Sequence, residues 1–183
     1  MKATGIVRRI DDLGRVVIPK EIRRTMRLRE GDPLEIYTNM SGEVIFKKYS
    51  PMGELSDGAE ELARTLFDEI KIPLIICDRD HAVAVAGISK LLTENKRITP
   101  ELESIMEQRK LYKPDGETKA LEFLNDNIML VSPVISAGDI TGAIVLLSGK
   151  GEKELTLADE RLVAVASQFL GSKTWRWISE DRC

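Results

Sequence analysis

Along the first fifty residues, short β-branched runs are broken by turn residues. Ile6 to Ile10 and Arg15 to Ile18 flank Asp11-Asp12-Leu13-Gly14, where Gly14 takes a positive φ at little cost, and the pattern predicts a β-hairpin. Pro19 pushes Ile18 towards the extended region and suits the first position of a helix, where its missing N–H would have had no helical partner. A helix is predicted from Pro19 to about Leu28, with Lys20, Arg23, Arg24 and Arg27 on one side and Ile22 and Met26 on the other. Arg29-Glu30-Gly31-Asp32 ends it. Pro33 to Thr38 then alternates, Asn39 to Gly42 turns, and Glu43 to Tyr49 makes a fourth strand, for an order ββαββ.

Ser50-Pro51-Met52-Gly53 marks a boundary. Behind it Leu55, Ala59, Leu62, Leu66 and Ile70 recur at spacings close to a coiled-coil seam. Two readings stay open: a helix lying on its own domain, or one packing against its copy in a dimer or tetramer. From Ile72 the pattern is mixed α+β. Strands are predicted at Pro73 to Cys77 and Ala82 to Ala86 around the turn Asp78-Arg79-Asp80-His81, and helices from Ser89 to about Glu94 and Pro100 to about Gln108. A looser stretch runs from Lys110 to Glu117. Ile128 to Ile135 and Ile140 to Leu147 form a hairpin, and a last helix starts near Thr156, a reasonable N-cap, and turns Leu162, Val165, Ala166, Phe169 and Leu170 towards a core. The organisation expected is thus a front domain over 1–50, a linker and amphipathic helix over 51–71, and a rear domain over 72–183.

Charge divides the chain in the same way. Of its 183 residues, 27 are Lys or Arg and 30 Asp or Glu, yet residues 1–50 carry a net +4 and the remainder a net −7. The front alone is built for an anion, and five arginines fall between Gly5 and Arg24. Arginine's planar fork suits phosphates and guanine edges, whereas lysine and glutamate would serve solubility as well. About fifty residues with roughly a dozen large apolar side chains bury too little surface to stand alone, and the front has no cysteine or histidine to staple it. A dimer sharing one core follows, with the arginines of both copies displayed together.

The residues Thr4-Gly5-Ile6-Val7-Arg8-Arg9 and Leu13 to Arg24 resemble the N-terminal domain of the AbrB family of bacterial transition-state regulators. That resemblance implies a swapped-hairpin β-barrel made by an interleaved dimer, and double-stranded DNA as partner. It implies DNA contacts from Arg8, Arg15, Arg23 and Arg24. Lys2, Arg9, Lys20 and Lys47 are added as phosphate neighbours, and strand alternation leaves open whether Arg8 or Arg9 faces out. The rear half, through Val131 to Ile135, Gly142 to Leu147 and Leu157 to Leu162, resembles a GAF domain, an antiparallel sheet with flanking helices. This implies a small-molecule sensor, an assembly module, or both, with no ligand named. The two halves together resemble regulators from spore-forming bacteria, which implies a homotetrameric activator or repressor of sporulation genes. An antitoxin with the same head, whose rear part binds a protein partner, is the competing class. Its partner-binding segments tend to be short, acidic and disordered, whereas some 130 residues here carry regular apolar periodicity.

Catalysis finds little support. His81 is the one histidine, no nucleophile is placed near it by any motif, and it reads as a turn residue in solvent. Gly149-Lys150 fails as a phosphate loop, since Ile144 stands where glycine is needed and Gly151 where serine or threonine is. No metal-ligand spacing appears, so no enzyme, metal or cofactor is expected. Of the two cysteines, Cys77 ends an apolar strand and reads as core, and Cys183 is the last residue, which is no disulfide framework. Neither an apolar leader nor a membrane-length apolar run is present, so a cytoplasmic, nucleoid-associated protein is expected.

Overall fold

The computed structural model describes residues 5–50, 52, 55–93, 96–149 and 153–180, with the backbone alone for 91, 92 and 175–180. The chain divides into two compact units, Met1–Tyr49 and Ser50–Cys183.

In the front unit, α1 (Lys20–Thr25) follows Pro19, whose ψ of 149° is extended. The helix stops short of the predicted end at Leu28. Arg27 adopts a left-handed φ of 52°, its N–H bonds to Arg24 O at 3.3 Å, and Leu28 N–H reaches Arg23 O at 2.8 Å. These are the paired bonds of a Schellman motif, and they take Arg27 off the helix face shared by Arg23 and Arg24. Next, β1 (Leu34–Thr38) and β2 (Val44–Lys48) pair antiparallel, with Leu34 opposite Lys48 and Thr38 opposite Val44. The predicted hairpin between 6–10 and 15–18 has its turn but not its ladder. Asp11 N–H bonds to Arg15 O at 3.0 Å and Gly14 N–H to Asp11 O at 3.0 Å, and among the described residues the flanking runs form no strand ladder. Their apolar side chains lie in the open, Val7 at 85% and Val17 at 72% exposure, and Pro19 is the one buried residue among those described in this unit. A two-stranded sheet and a six-residue helix do not stand alone. Burying these runs calls for a partner surface that the described residues of this unit do not supply.

The rear unit is one antiparallel sheet covered on both faces. Its strands are β3 (Leu74–Cys77), β4 (Ala82–Ala86), β5 (Ile128–Ser136) and β6 (Asp139–Leu147), in the order β4-β3-β6-β5. β3 is buried at all four positions and β6 at every position after Asp139, as befits central strands with no solvent face. Side chains alternate between two cores. Leu74, Ile76, Leu130, Val134, Ile144 and Leu146 face α2 (Ser56–Ile70) and α5 (Leu157–Glu180). Ile75, Cys77, Val131, Ala143, Val145 and Leu147 face α4 (Pro100–Glu107) and the segment after it, while the short α3 (Lys90–Thr93) follows β4. Gly142 is required where β6 passes β3, because a Cβ there would lie 2.1 Å from Cys77 O. At the β5 edge, Tyr112 N–H bonds to Val131 O at 2.9 Å and Val131 N–H to Tyr112 O at 2.8 Å.

Two helix faces differ from, or narrow, the sequence expectation. α2 turns Ala59, Ala63, Leu66 and Ile70 onto its own sheet, the first of the two readings of its seam. α5 buries Val163, Ala166, Ser167 and Leu170, whereas Leu162, Val165 and Phe169, expected in the core, lie exposed. Its start is as predicted. Thr156 N–H and Oγ1–H donate to Asp159 Oδ2 at 3.0 and 2.7 Å, and Asp159 N–H donates back to Thr156 Oγ1 at 3.2 Å, a reciprocal cap. α4 starts similarly at Thr99, whose Oγ1 accepts from Leu102 N–H at 3.2 Å and donates to Lys119 O at 2.6 Å.

Candidate nucleic-acid interface

Arg8 and Arg9 lie on the extended run before the turn, Arg15 just after it, Arg23 and Arg24 side by side on the last turn of α1, and Lys20 at its start. All six are exposed, as is Lys47 on β2. Lys2 lies outside the described residues. Exposure does not separate Arg8 from Arg9 in a single chain. Arg27 and Arg29 are half-buried and engaged in interactions of their own. The cationic surface therefore belongs to the turn and α1.

The turn itself is built around one carboxylate. Asp11 Oδ1 accepts from Leu13 N–H at 3.1 Å and Arg15 N–H at 2.7 Å, and Oδ2 accepts from Arg15 Nε–H at 2.9 Å. These bonds, the backbone N–H of Arg15 foremost and its guanidinium next, hold the Asp11 carboxyl below the usual aspartate range. The sequence marked Asp11 only as a turn residue. The available signal was an aspartate four residues before an arginine across a Gly-containing turn, a spacing that lets one side chain serve both the backbone and the neighbouring cation.

The rear unit has little chemistry of the catalytic kind. Cys77 is buried, and its thiol is pushed up to about 12 by burial, reinforced by the charge of Asp78, which leaves no thiolate for nucleophilic work. His81 is half-buried, not free in solvent as its turn position suggested, and its backbone bridges to Arg97. Among the described residues no group of three or more His, Cys, Asp or Glu could hold a metal ion, and no helix is long and apolar enough to cross a membrane. The sheet face towards α4 is filled by Ile75, Val131, Val145, Leu102, Met106 and Leu121, each at 2% exposure or less. A hollow of about 160 Å³ lies elsewhere in this unit, lined by Phe67, Ile72, Pro73 and Met129 together with Lys71 and Lys153.

An exposed arginine turn on a unit that needs a second copy, followed by a helix-covered antiparallel sheet, defines a two-unit α+β protein of the swapped-hairpin regulator class. Known proteins agree. The family described as "Stage V sporulation protein T C-terminal, transcription factor" matches residues 54–174, and that described as "Antidote-toxin recognition MazE, bacterial antitoxin" matches residues 7–53. Stage V sporulation protein T of Bacillus subtilis is 49% identical over 177 residues, spanning 93% of this chain and 97% of that protein. The transition state regulatory protein AbrB of the same organism is 52% identical over 69 residues, 34% of this chain and 71% of that protein. The GAF domain of PixJ from Thermosynechococcus elongatus, in its blue-light absorbing form, superposes with a TM-score of 0.56 at 11% identity. It covers 74% of this chain and 93% of that domain, a likeness of fold alone. The chain belongs to the stage V sporulation protein T family of transcription factors.

Proposed function

We propose that the chain regulates sporulation genes by binding duplex DNA through paired clusters of Arg8, Arg15, Arg23 and Arg24, with Arg9, Lys20, Lys47 and Lys2 as neighbouring phosphate contacts. The observation that carries this reading is the exposure of the arginines on a unit whose apolar runs have no partner among the described residues. Two copies that interleave those runs bury them and display both clusters together. Some arginines neutralise phosphates and others enter a groove, and without a long recognition helix much of the sequence preference comes from DNA shape and flexibility. The protein works in the cytoplasm, on the nucleoid.

The rear unit joins two such dimers into a tetramer. Support comes from α5, whose outward stripe of Leu162, Val165 and Phe169 is apolar and uncovered while its other face is buried on the sheet. A regulatory small molecule is the third part of the reading. With the α4 face of the sheet filled, the hollow beside Phe67, Ile72, Pro73 and Met129 is the better place for one.

The test is duplex binding across a salt series, wild type beside Arg15→Ala and Arg23→Ala. Affinity should fall steeply with salt, and each variant should lose about one phosphate's worth of slope, roughly 0.9 in log K against log salt. A wild type that binds no duplex at low salt would instead favour a protein partner of the antitoxin kind, the class that the match over residues 7–53 also names.

A further inference from the structure

The front unit holds an apparent contradiction. A carboxylate, Asp11, stands in the middle of the arginine turn, where its negative charge opposes the approach of a polyanion. A surface ion pair of this exposure, with Arg15 at 70% and Asp11 at 38%, adds little to stability, so stability alone does not account for it. Its geometry does. Asp11 closes the turn with both backbone groups, through Asp11 N–H to Arg15 O and Gly14 N–H to Asp11 O, each at 3.0 Å. Its Oδ1 fixes the Leu13 and Arg15 N–H groups, and its Oδ2 takes the Arg15 guanidinium by Nε. An arginine held by Nε keeps its two terminal nitrogens clear. That pair is the fork that binds a phosphate or the O6 and N7 edge of guanine through two parallel bonds. Among the described residues no other acceptor is bonded to the Arg15 side chain.

We infer that Asp11 is a positioning residue for nucleic-acid binding: it anchors Arg15 at backbone and Nε so that the guanidinium fork meets DNA already ordered. This rests on the DNA-binding reading above. Two effects oppose each other, and their signs differ. Removing the carboxylate relieves repulsion with phosphates, a gain that salt screens over about 8 Å at physiological ionic strength. It also frees a long side chain that binding must then immobilise, which weakens affinity by about threefold to tenfold. The positioning reading requires the second effect to prevail.

The experiment measures binding of the full-length protein to a fluorescent duplex at fixed moderate salt, for wild type, Asp11→Asn, Arg15→Ala and the double variant, with a thermal melt of each. Asparagine retains a carbonyl oxygen for the Leu13 and Arg15 N–H groups and loses the charged contact to Nε, so Asp11→Asn should melt with the wild type. At that salt it should bind about threefold to tenfold more weakly, and this loss should vanish in the Arg15→Ala background. Binding by Asp11→Asn as tight as wild type or tighter, with Arg15→Ala still impaired, overturns the positioning role and leaves the DNA-binding reading standing. An equal loss in both backgrounds overturns it as well, because Asp11 would then act independently of Arg15. Failure of the wild type itself to bind duplex sinks the reading beneath.

Discussion

Ser132 Oγ on β5 and Ser167 Oγ on α5 lie 2.6 Å apart, both buried, and Ser167 Oγ–H donates onward to Ala164 O at 3.0 Å. When Ser167 donates to Ala164 O, its hydroxyl oxygen accepts from Ser132. This short polar chain pins the final helix to the sheet at one register. Removing Ser167 leaves the Ser132 hydroxyl buried without a partner, which costs about 1–3 kcal/mol. Ser132→Ala leaves Ser167 still bonded to Ala164 and should cost less. The double variant should be no worse than Ser167→Ala alone, as measured by melting at a fixed chain concentration; a strictly additive double would show that the pair is not coupled.

Gly171 sits one helical turn further on, and a Cβ there would meet Ile135 O at 2.2 Å. Alanine in a helix normally gains about 1 kcal/mol over glycine. Here the clash is with backbone and the helix must lift from β5, so Gly171→Ala should destabilise by about 1–3 kcal/mol. A variant melting at or above the wild type would mean that the close approach is looser than the geometry indicates.

The outward face of α5 makes a separate prediction about assembly. Val165 is 62% and Phe169 51% exposed, so acidic substitutions there disturb no core of their own chain. If the proposed tetramer forms through this face, Val165→Asp with Phe169→Asp should leave the circular dichroism unchanged and lower the assembly to a dimer in sedimentation velocity. A sedimentation coefficient unchanged by the two substitutions would remove this face from the proposed assembly.

Acid should loosen two joints of the rear unit. Burial raises the Asp159 pKa, but the bonds from Thr156 and the charge of Lys153 outweigh it and leave the carboxyl below its ordinary value; Glu60 is lowered by its hydrogen bond and charge pairing with Lys90. A lowered folded pKa means that these contributions are complete at neutral pH and above the ordinary carboxylate range, and disappear as pH falls through the folded values. Melting temperature should therefore fall below about pH 4, and by less in Asp159→Asn, which has already lost its share. An identical acid slope in that variant would remove Asp159 from the account.

Much of this architecture is legible in the residues, and the exceptions have physical causes. Ala82–Ala86, the cap at Thr156 and the hairpin across Ser136 to Asp139 are local features, set by alternation and turn chemistry. The phase of α5 is not local. Periodicity weights large side chains and so favoured Leu162, Val165 and Phe169, while the helix docks by its small residues, Ala166, Ser167 and Gly171, because they allow close approach to β5. The strands at 6–10 and 15–18 are written in their β-branched residues, yet their ladder needs a second molecule. Arg27 is likewise missed as a helix end, since a left-handed arginine lacks the glycine that usually announces a Schellman motif.

The sheet margins of the rear unit constrain how copies can join. At the β5 border the outward N–H and C=O of Val131 are already taken by Tyr112, and two positions along, Pro133 has no N–H to offer. At the opposite border Ala82 N–H is occupied by Lys96 O. A stray extended segment thus finds broken rungs on either side, which disfavours strand-by-strand growth of copies into fibres.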